Sequence, residues 1–113
     1  MANFVRLRGC RPMTKQQATD TARAVLYRHM LKMPIQFCDD VFFLEALFDS
    51  HPDRDEKAQG RMPSHFEIHP NKGGSRCFYV VFRDGTKIDF SFKKSIDAAA
   101  KPLSAFCAAA CGN

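Results

Sequence analysis

Four His and five Cys make metal binding the first chemistry to weigh in this sequence. His65 and His69 are four apart in a segment that alternates like a strand, and Cys107 and Cys111 are four apart in a helical one. Each pair therefore shares a face, and together they could make a two-Cys, two-His set. No Cys-x-x-Cys knuckle accompanies them, and core packing in an Ala-rich tail accounts for the Cys pair. No metal is assigned. Nucleophilic catalysis needs Cys or Ser beside a positioned base. Cys77, Ser91 and Ser95 are available, but none sits in a nucleophile elbow. Asp53, Asp55 and Glu56 are the paired carboxylates on hand, and a solvated loop explains them better. Asn71-Lys72-Gly73-Gly74 lacks the spacing of a phosphate loop. The residues offer no catalytic constellation and no cofactor motif, so the chain reads as non-enzymatic.

Cations remain. Arg61, Arg76, Arg83, Lys87, Lys93 and Lys94 flank a candidate sheet surface, and His51 and Lys57 lie on the long loop before it. Such residues contact phosphates, and Phe78, Phe82 or His65 would stack on bases. Solvated surface charge is the competing reading for each cation. For Phe78 and Phe82 it is burial beneath a helix or another strand.

Those candidates depend on a hairpin. Ser75 to Ile96 reads as two strands joined at Asp84-Gly85, the signature of a two-residue type I′ turn. In that register Val81 faces Ile88, Tyr79 faces Phe90 and Cys77 faces Phe92. Those six residues form an apolar core face. Phe78, Val80 and Phe82 share the other face with Lys87 and Asp89.

The elements before it follow from pattern. Residues 3–8 read as a short edge strand. Thr14-Lys-Gln-Gln17 is a capping box, and Ala18, Ala22, Val25, Leu26 and Met30 form the stripe of a helix that Met33-Pro34 ends. Asp39 or Asp40 caps a second helix with Val41, Phe43, Leu44, Leu47 and Phe48 on its apolar side. Residues 51–63 read as an exposed loop. In 65–69, Phe66 and Ile68 point one way, and His65, Glu67 and His69 the other. Ser95 caps a last helix to about Cys111, with Ile96, Leu103, Phe106 and Ala110 inward, Pro102 kinking it and Gly112 ending it.

At 113 residues the chain suits one domain. The expected fold is α+β, an antiparallel sheet of three to four strands around the Asp-Gly hairpin with two to three helices on it. No apolar run reaches the roughly 18 residues of a membrane span, and the start lacks a hydrophobic signal region. An odd Cys number without framework spacing points to reduced thiols and a cytoplasmic setting. Net charge is +5. Residues 1–32 hold seven bases and one acid, 33–60 two and seven, 61–113 eight and four. This suits nucleic acid on one face, or a basic helix beside an acidic one.

His51-Pro52, Glu56-Lys57 with Gly60, Ser75-Arg76-Cys77-Phe78, Arg83-Asp84-Gly85-Thr86, Asp89-Phe90-Ser91 and Lys93-Lys94-Ser95-Ile96 occur in that order. With the Thr14-Lys15 helix before them, they resemble the "defective chloroplasts and leaves" (DCL) domain across nearly all of residues 1–113. The resemblance implies an α+β fold and a role in RNA metabolism. Plant members of that family act in plastid ribosomal RNA maturation, and a related domain ends the largest subunit of a plant-specific RNA polymerase. It carries over no catalytic residue. The family usually has Lys-Ile-Gly-x-Gly where this chain has Lys57-Ala58-Gln59-Gly60, and Cys where it has Ser95. The resulting expectation is non-catalytic binding of RNA or single-stranded nucleic acid in RNA processing or transcription. The alternative is a protein-interaction module docking on a polymerase, ribosome or nuclease.

Overall fold

Thr14 starts the first helix as its sequence dictates. In the computed structural model, which describes residues 3–102, its hydroxyl accepts the Gln17 N–H at 3.1 Å, and the Gln17 side chain accepts the Thr14 N–H at 2.9 Å. Helix α1 (Lys15–Arg28) buries Ala18, Ala22, Val25 and Leu26. It stops before Met30, which is 76% exposed rather than part of the stripe. His29 is extended there, and Arg76 donates to the Leu26 and His29 carbonyls at 3.2 Å each, satisfying the helix end.

Helix α2 (Cys38–Ser50) buries Phe43, Leu44, Ala46, Leu47 and Phe48. Neither Asp39 nor Asp40 is its N-cap; Phe37 holds that place without a side-chain bond. Asp40 instead lies buried in the first turn and binds Arg28 and His29, tying α2 to the end of α1. Residues 51–63 are not all loop. Arg54–Ala58 form a short helix, α3, that Gln59 ends in the left-handed region.

Strands β1 (Asn3–Val5), β2 (Met13–Thr14) and β6 (Ala100–Pro102) form one small antiparallel sheet in the order β2-β1-β6. The first strand is therefore central, not an edge. β3 (Pro63–Pro70), β4 (Arg76–Phe82) and β5 (Lys87–Phe90) form the second, in the order β3-β4-β5. The other edge of β3 is covered by the segment before α2, where the Lys32 and Ile35 N–H groups donate to Ile68 and Phe66 carbonyls at 2.8 and 2.9 Å. The fold is thus α+β, with two small sheets where the sequence reading placed one. No helix of the described residues is long and apolar enough to cross a membrane.

The register of β4 and β5 corrects the sequence reading by one residue. Val80 faces Ile88 and Phe78 faces Phe90. The loop has three residues, because the Phe82 N–H bonds to Thr86 O at 2.8 Å and the Gly85 N–H returns to Phe82 O at 2.9 Å. Gly85 has φ +88°, and Asp84 accepts the Thr86 N–H at 3.0 Å. A turn plus a left-handed residue adds one position to a two-residue loop and exchanges the two faces. Phe78, Val80 and Phe82 join Phe66, Ile68 and Phe90 in the core, against α2. Cys77, Tyr79 and Lys87 fall on the outer face with His65, Glu67 and His69. The β3 alternation is as its pattern predicts.

Helix α4 (Phe92–Ala99) begins one turn earlier than Ser95. Ser91 is the cap, accepting the Lys94 N–H at 3.4 Å, while Ser95 is buried on the helix beside Ile96. Ala100 is extended and starts β6, so the helix does not run on to Pro102. Leu103, Phe106, Cys107, Ala110, Cys111 and Gly112 lie outside the described residues.

Gly85→Ala places a Cβ in open space but at a positive φ. Urea unfolding should show a loss of about 1–2 kcal/mol. Gly85→Asn should lose less. An unchanged midpoint for Gly85→Ala would contradict the three-residue loop.

Candidate nucleic-acid interface

The two rings proposed to stack on bases are not available to do so. Phe78 and Phe82 are each 1% exposed. Phe78 lies 6.0 Å from Phe90 and 6.1 Å from Phe92 between ring centroids, and Phe82 meets Phe48 at 6.5 Å. The face exchange at the hairpin is the cause. His51 is also withdrawn from any phosphate, at 4% exposed. Its Nδ1 accepts the Asp53 N–H at 3.0 Å, and its ring stands edge-on to Phe90. Burial, aided by Lys57, lowers its pKa, so the imidazole is neutral at pH 7.

Several cations serve as struts. Arg61 donates to the carbonyls of Ala58 and Lys57 and to the Thr86 hydroxyl at 3.0, 2.7 and 2.6 Å, with its guanidinium 4.3 Å over the Phe82 ring. It fastens the end of α3 to the hairpin turn. Lys57 donates to Asp89 O at 2.9 Å, which holds α3 against β5. Lys87 donates to Glu67 at 3.1 Å. Arg76 caps α1 and lies over the Tyr27 ring. Arg83, Lys93 and Lys94 are exposed, with no side-chain hydrogen bond or ion pair to the described residues.

A cleft of about 340 Å³ brings part of this set together. Arg76 and Lys93 line it with Asn71, Ser75, Asp89 and Ser91. Lys57 and Lys94 are close enough to act on the His51 ring. The start of α4 lines the cleft through Ser91, Phe92 and Lys93, and the positive end of the helix dipole there suits an anion, although Ser91 already takes the Lys94 N–H. Nothing in the sequence marks Asn71 or Ser75 as cleft residues; the β3–β4 connection must fold toward α4 to bring them there. Ser91 could have been recognised, since a Ser directly after a strand is as good a cap as Ser95. Cys77 also lines the cleft, and burial followed by Asp89 pushes its thiol pKa up, so it stays protonated at neutral pH. Among the described residues no three His, Cys, Asp or Glu are arranged to hold a metal ion.

On the outer sheet face Glu67 is buried beneath its partners. His65 and His69 donate from Nε2 to its two oxygens at 2.8 Å each, with Lys87 as the third donor. Burial alone would raise its pKa. The three hydrogen bonds more than reverse that and bring the pKa to about 2.

Residues 23–96 match the model of a family described as "Protein of unknown function (DUF3223)", and the chain belongs to that family. This match corrects the sequence-based resemblance: the DCL assignment is withdrawn, and with it the expectation of ribosomal RNA maturation. The chain is similar to DNA-directed RNA polymerase V subunit 1 of Arabidopsis thaliana, at 38% identity over 65 residues. The match covers 57% of this chain but about 3% of the subunit's length. The fold is similar to the solution NMR structure of an uncharacterized protein from Rhodospirillum rubrum, with a TM-score of 0.69 at 23% identity over 85% of this chain and 90% of that one.

A carboxyl held near pH 2, against an ordinary value of 4.5, stabilises the fold above pH 4.5 and loses that contribution as pH falls toward 2. Urea unfolding from pH 7 to pH 3 should show this loss in the wild type, up to about 3 kcal/mol in full. Glu67→Gln should be destabilised at pH 7 and show a flatter profile. Parallel profiles for the two proteins would refute the network.

Proposed function

We propose that the protein is a non-catalytic module that binds RNA or single-stranded nucleic acid in transcription or RNA processing, in a reducing, cytoplasmic setting. The observation that carries this reading is the cleft between the β3–β4 connection and the start of α4. There Arg76 and Lys93 line one surface with the N-terminal end of α4, and Lys57 bonds the carbonyl of Asp89 in the same lining. Phosphate is the group that such a set recognises best. Similarity to a stretch of an RNA polymerase subunit supports a transcriptional setting. Withdrawal of Phe78 and Phe82 shifts the mechanism from base stacking to phosphate capture.

A protein-docking module is the second reading. Tyr27, Met30, Met33, Phe37 and Phe42 are all more than half exposed and fall within one stretch of sixteen residues (27–42). Exposed apolar side chains in such number suit a partner surface. A single protein partner retained after nuclease treatment would favour it.

The two readings part on salt. Binding of a labelled single strand should weaken linearly in log salt, and Lys93→Ala with Lys94→Ala should lower the slope by roughly 0.7 for each phosphate contact removed. Arg76→Ala should weaken binding too, but it also uncaps α1, so its stability must be measured in parallel. Absence of binding to RNA and DNA single strands at low salt would end the first reading.

A further inference from the structure

The connection between α1 and α2 carries more apolar side chain than it buries. Its backbone is pinned to the edge of β3 by the Lys32 and Ile35 N–H groups, which donate to the Ile68 and Phe66 carbonyls. Ile35 is buried and Leu31 is half-buried against the core, so these two supply the packing that holds the segment. Met30, Met33 and Phe37 are exposed on the same segment, and Tyr27 is exposed on the last turn of α1 just before it. Each of these residues lies three or four positions from the next. At most about 14 Å of backbone therefore separates neighbours along the strip, within reach of one short partner segment. Apolar side chains left in water in such a run mark a contact surface, and unbranched Met adapts its shape to what it meets.

Charge along this strip is of one sign. Residues 21–38 hold Arg23, Arg28 and Lys32 and no Asp or Glu. Arg23 lies one turn before Tyr27 on the same face of α1, and Lys32 lies between Met30 and Met33. Neither makes a side-chain hydrogen bond or ion pair to the described residues. Arg76 adds a guanidinium 5.1 Å over the Tyr27 ring. Asp40 is buried and already bound by Arg28 and His29, so the exposed acids stand at the two ends, Asp20 before Arg23 and Asp39 beyond Phe37. Met side chains offer a base no flat ring to stack on, which disfavours nucleic acid here. A second copy in a two-fold contact would set these cations against themselves. We propose that the strip docks an acidic peptide segment with aromatic or aliphatic anchors. The anchors would rest on Tyr27, Met30, Met33 and Phe37, and the carboxylates on Arg23 and Lys32. This goes beyond the nucleic-acid reading, draws on neither Lys93 nor Lys94, and gives the docking surface a partner of defined chemistry.

The probe is a fluorescein-labelled peptide of about twelve residues built from Glu-Glu-Phe-Leu repeats. It should bind, and more weakly as salt is raised. Met30→Ser with Met33→Ser should weaken binding about tenfold or more. Both side chains are already exposed, so the thermal midpoint of that variant should stay in place. Arg23→Ser with Lys32→Ser should weaken binding at low salt and flatten its salt dependence. Equal binding of Lys-Lys-Phe-Leu repeats would overturn the part played by charge, and equal binding of Glu-Glu-Ser-Ser repeats the part played by the apolar strip; either result overturns the inference. Failure of the acidic peptide to bind at low salt, while single-stranded RNA binds, would overturn this inference alone and leave the nucleic-acid reading standing. A dimer, or attachment to phosphatidylserine vesicles, that is lost in the Met30→Ser, Met33→Ser variant and not displaced by the peptide would overturn it in favour of a second copy or a lipid surface.

Discussion

The hydrogen bond from the Phe82 N–H to Thr86 O closes the hairpin loop at three residues, and the layout of the central sheet follows from that closure. With it, Phe78 and Phe90 lie opposite each other and Phe48, Phe66 and Phe92 pack around them. Burial of each ring stabilises by about 2 kcal/mol or more. A slip of one residue on β4 would expose Phe78 and Phe82 and turn Tyr79 and Cys77 inward. A slip on β5 would turn Lys87 and Asp89 toward the core, at several kcal/mol per ion. The register is therefore set twice, by the turn and by the faces it sorts.

Two buried carboxylates fasten the rest. Asp40 joins the end of α1 to the start of α2 through Arg28 and His29; burial would raise its pKa, but those hydrogen bonds lower it. Glu67 plays the same part on the outer face of the sheet. Arg8 to Asp49 adds an exposed pair between segments of opposite charge, and Lys15 to Asp97 adds one between α1 and α4. The basic start of the chain thus lies partly against its acidic middle. Much of the charge asymmetry is used within the fold, and a net charge of +5 overstates what a ligand meets.

Strong local signals were legible in the sequence. The Thr14–Gln17 box, the β3 alternation and the α2 core residues all rest on chemistry within a few positions. The hairpin register was not legible, because residues 77–82 are apolar at every position and so suit either face. The Asp-Gly pair alone does not distinguish a two-residue from a three-residue loop. Ser91 and Ser95 are equally good caps until the end of β5 is known. For the proposed site, Arg76 and Lys93 were nameable from the sequence, which could not show which cations act as struts. That depends on carbonyls far along the chain, such as Leu26 for Arg76 and Asp89 for Lys57.

The struts also decide which cations stay exposed. Arg61 and Lys57 hold α3 between the hairpin turn and β5. The Asp89 that Lys57 bonds lines the cleft with Arg76 and Lys93. Arg76 and Lys93 are the cations in that lining, and few phosphate contacts give weak binding in physiological salt. Lys57 and Arg61 are thus taken up by the fold, which leaves Lys93 and Lys94 as the exposed cations of the proposed phosphate site.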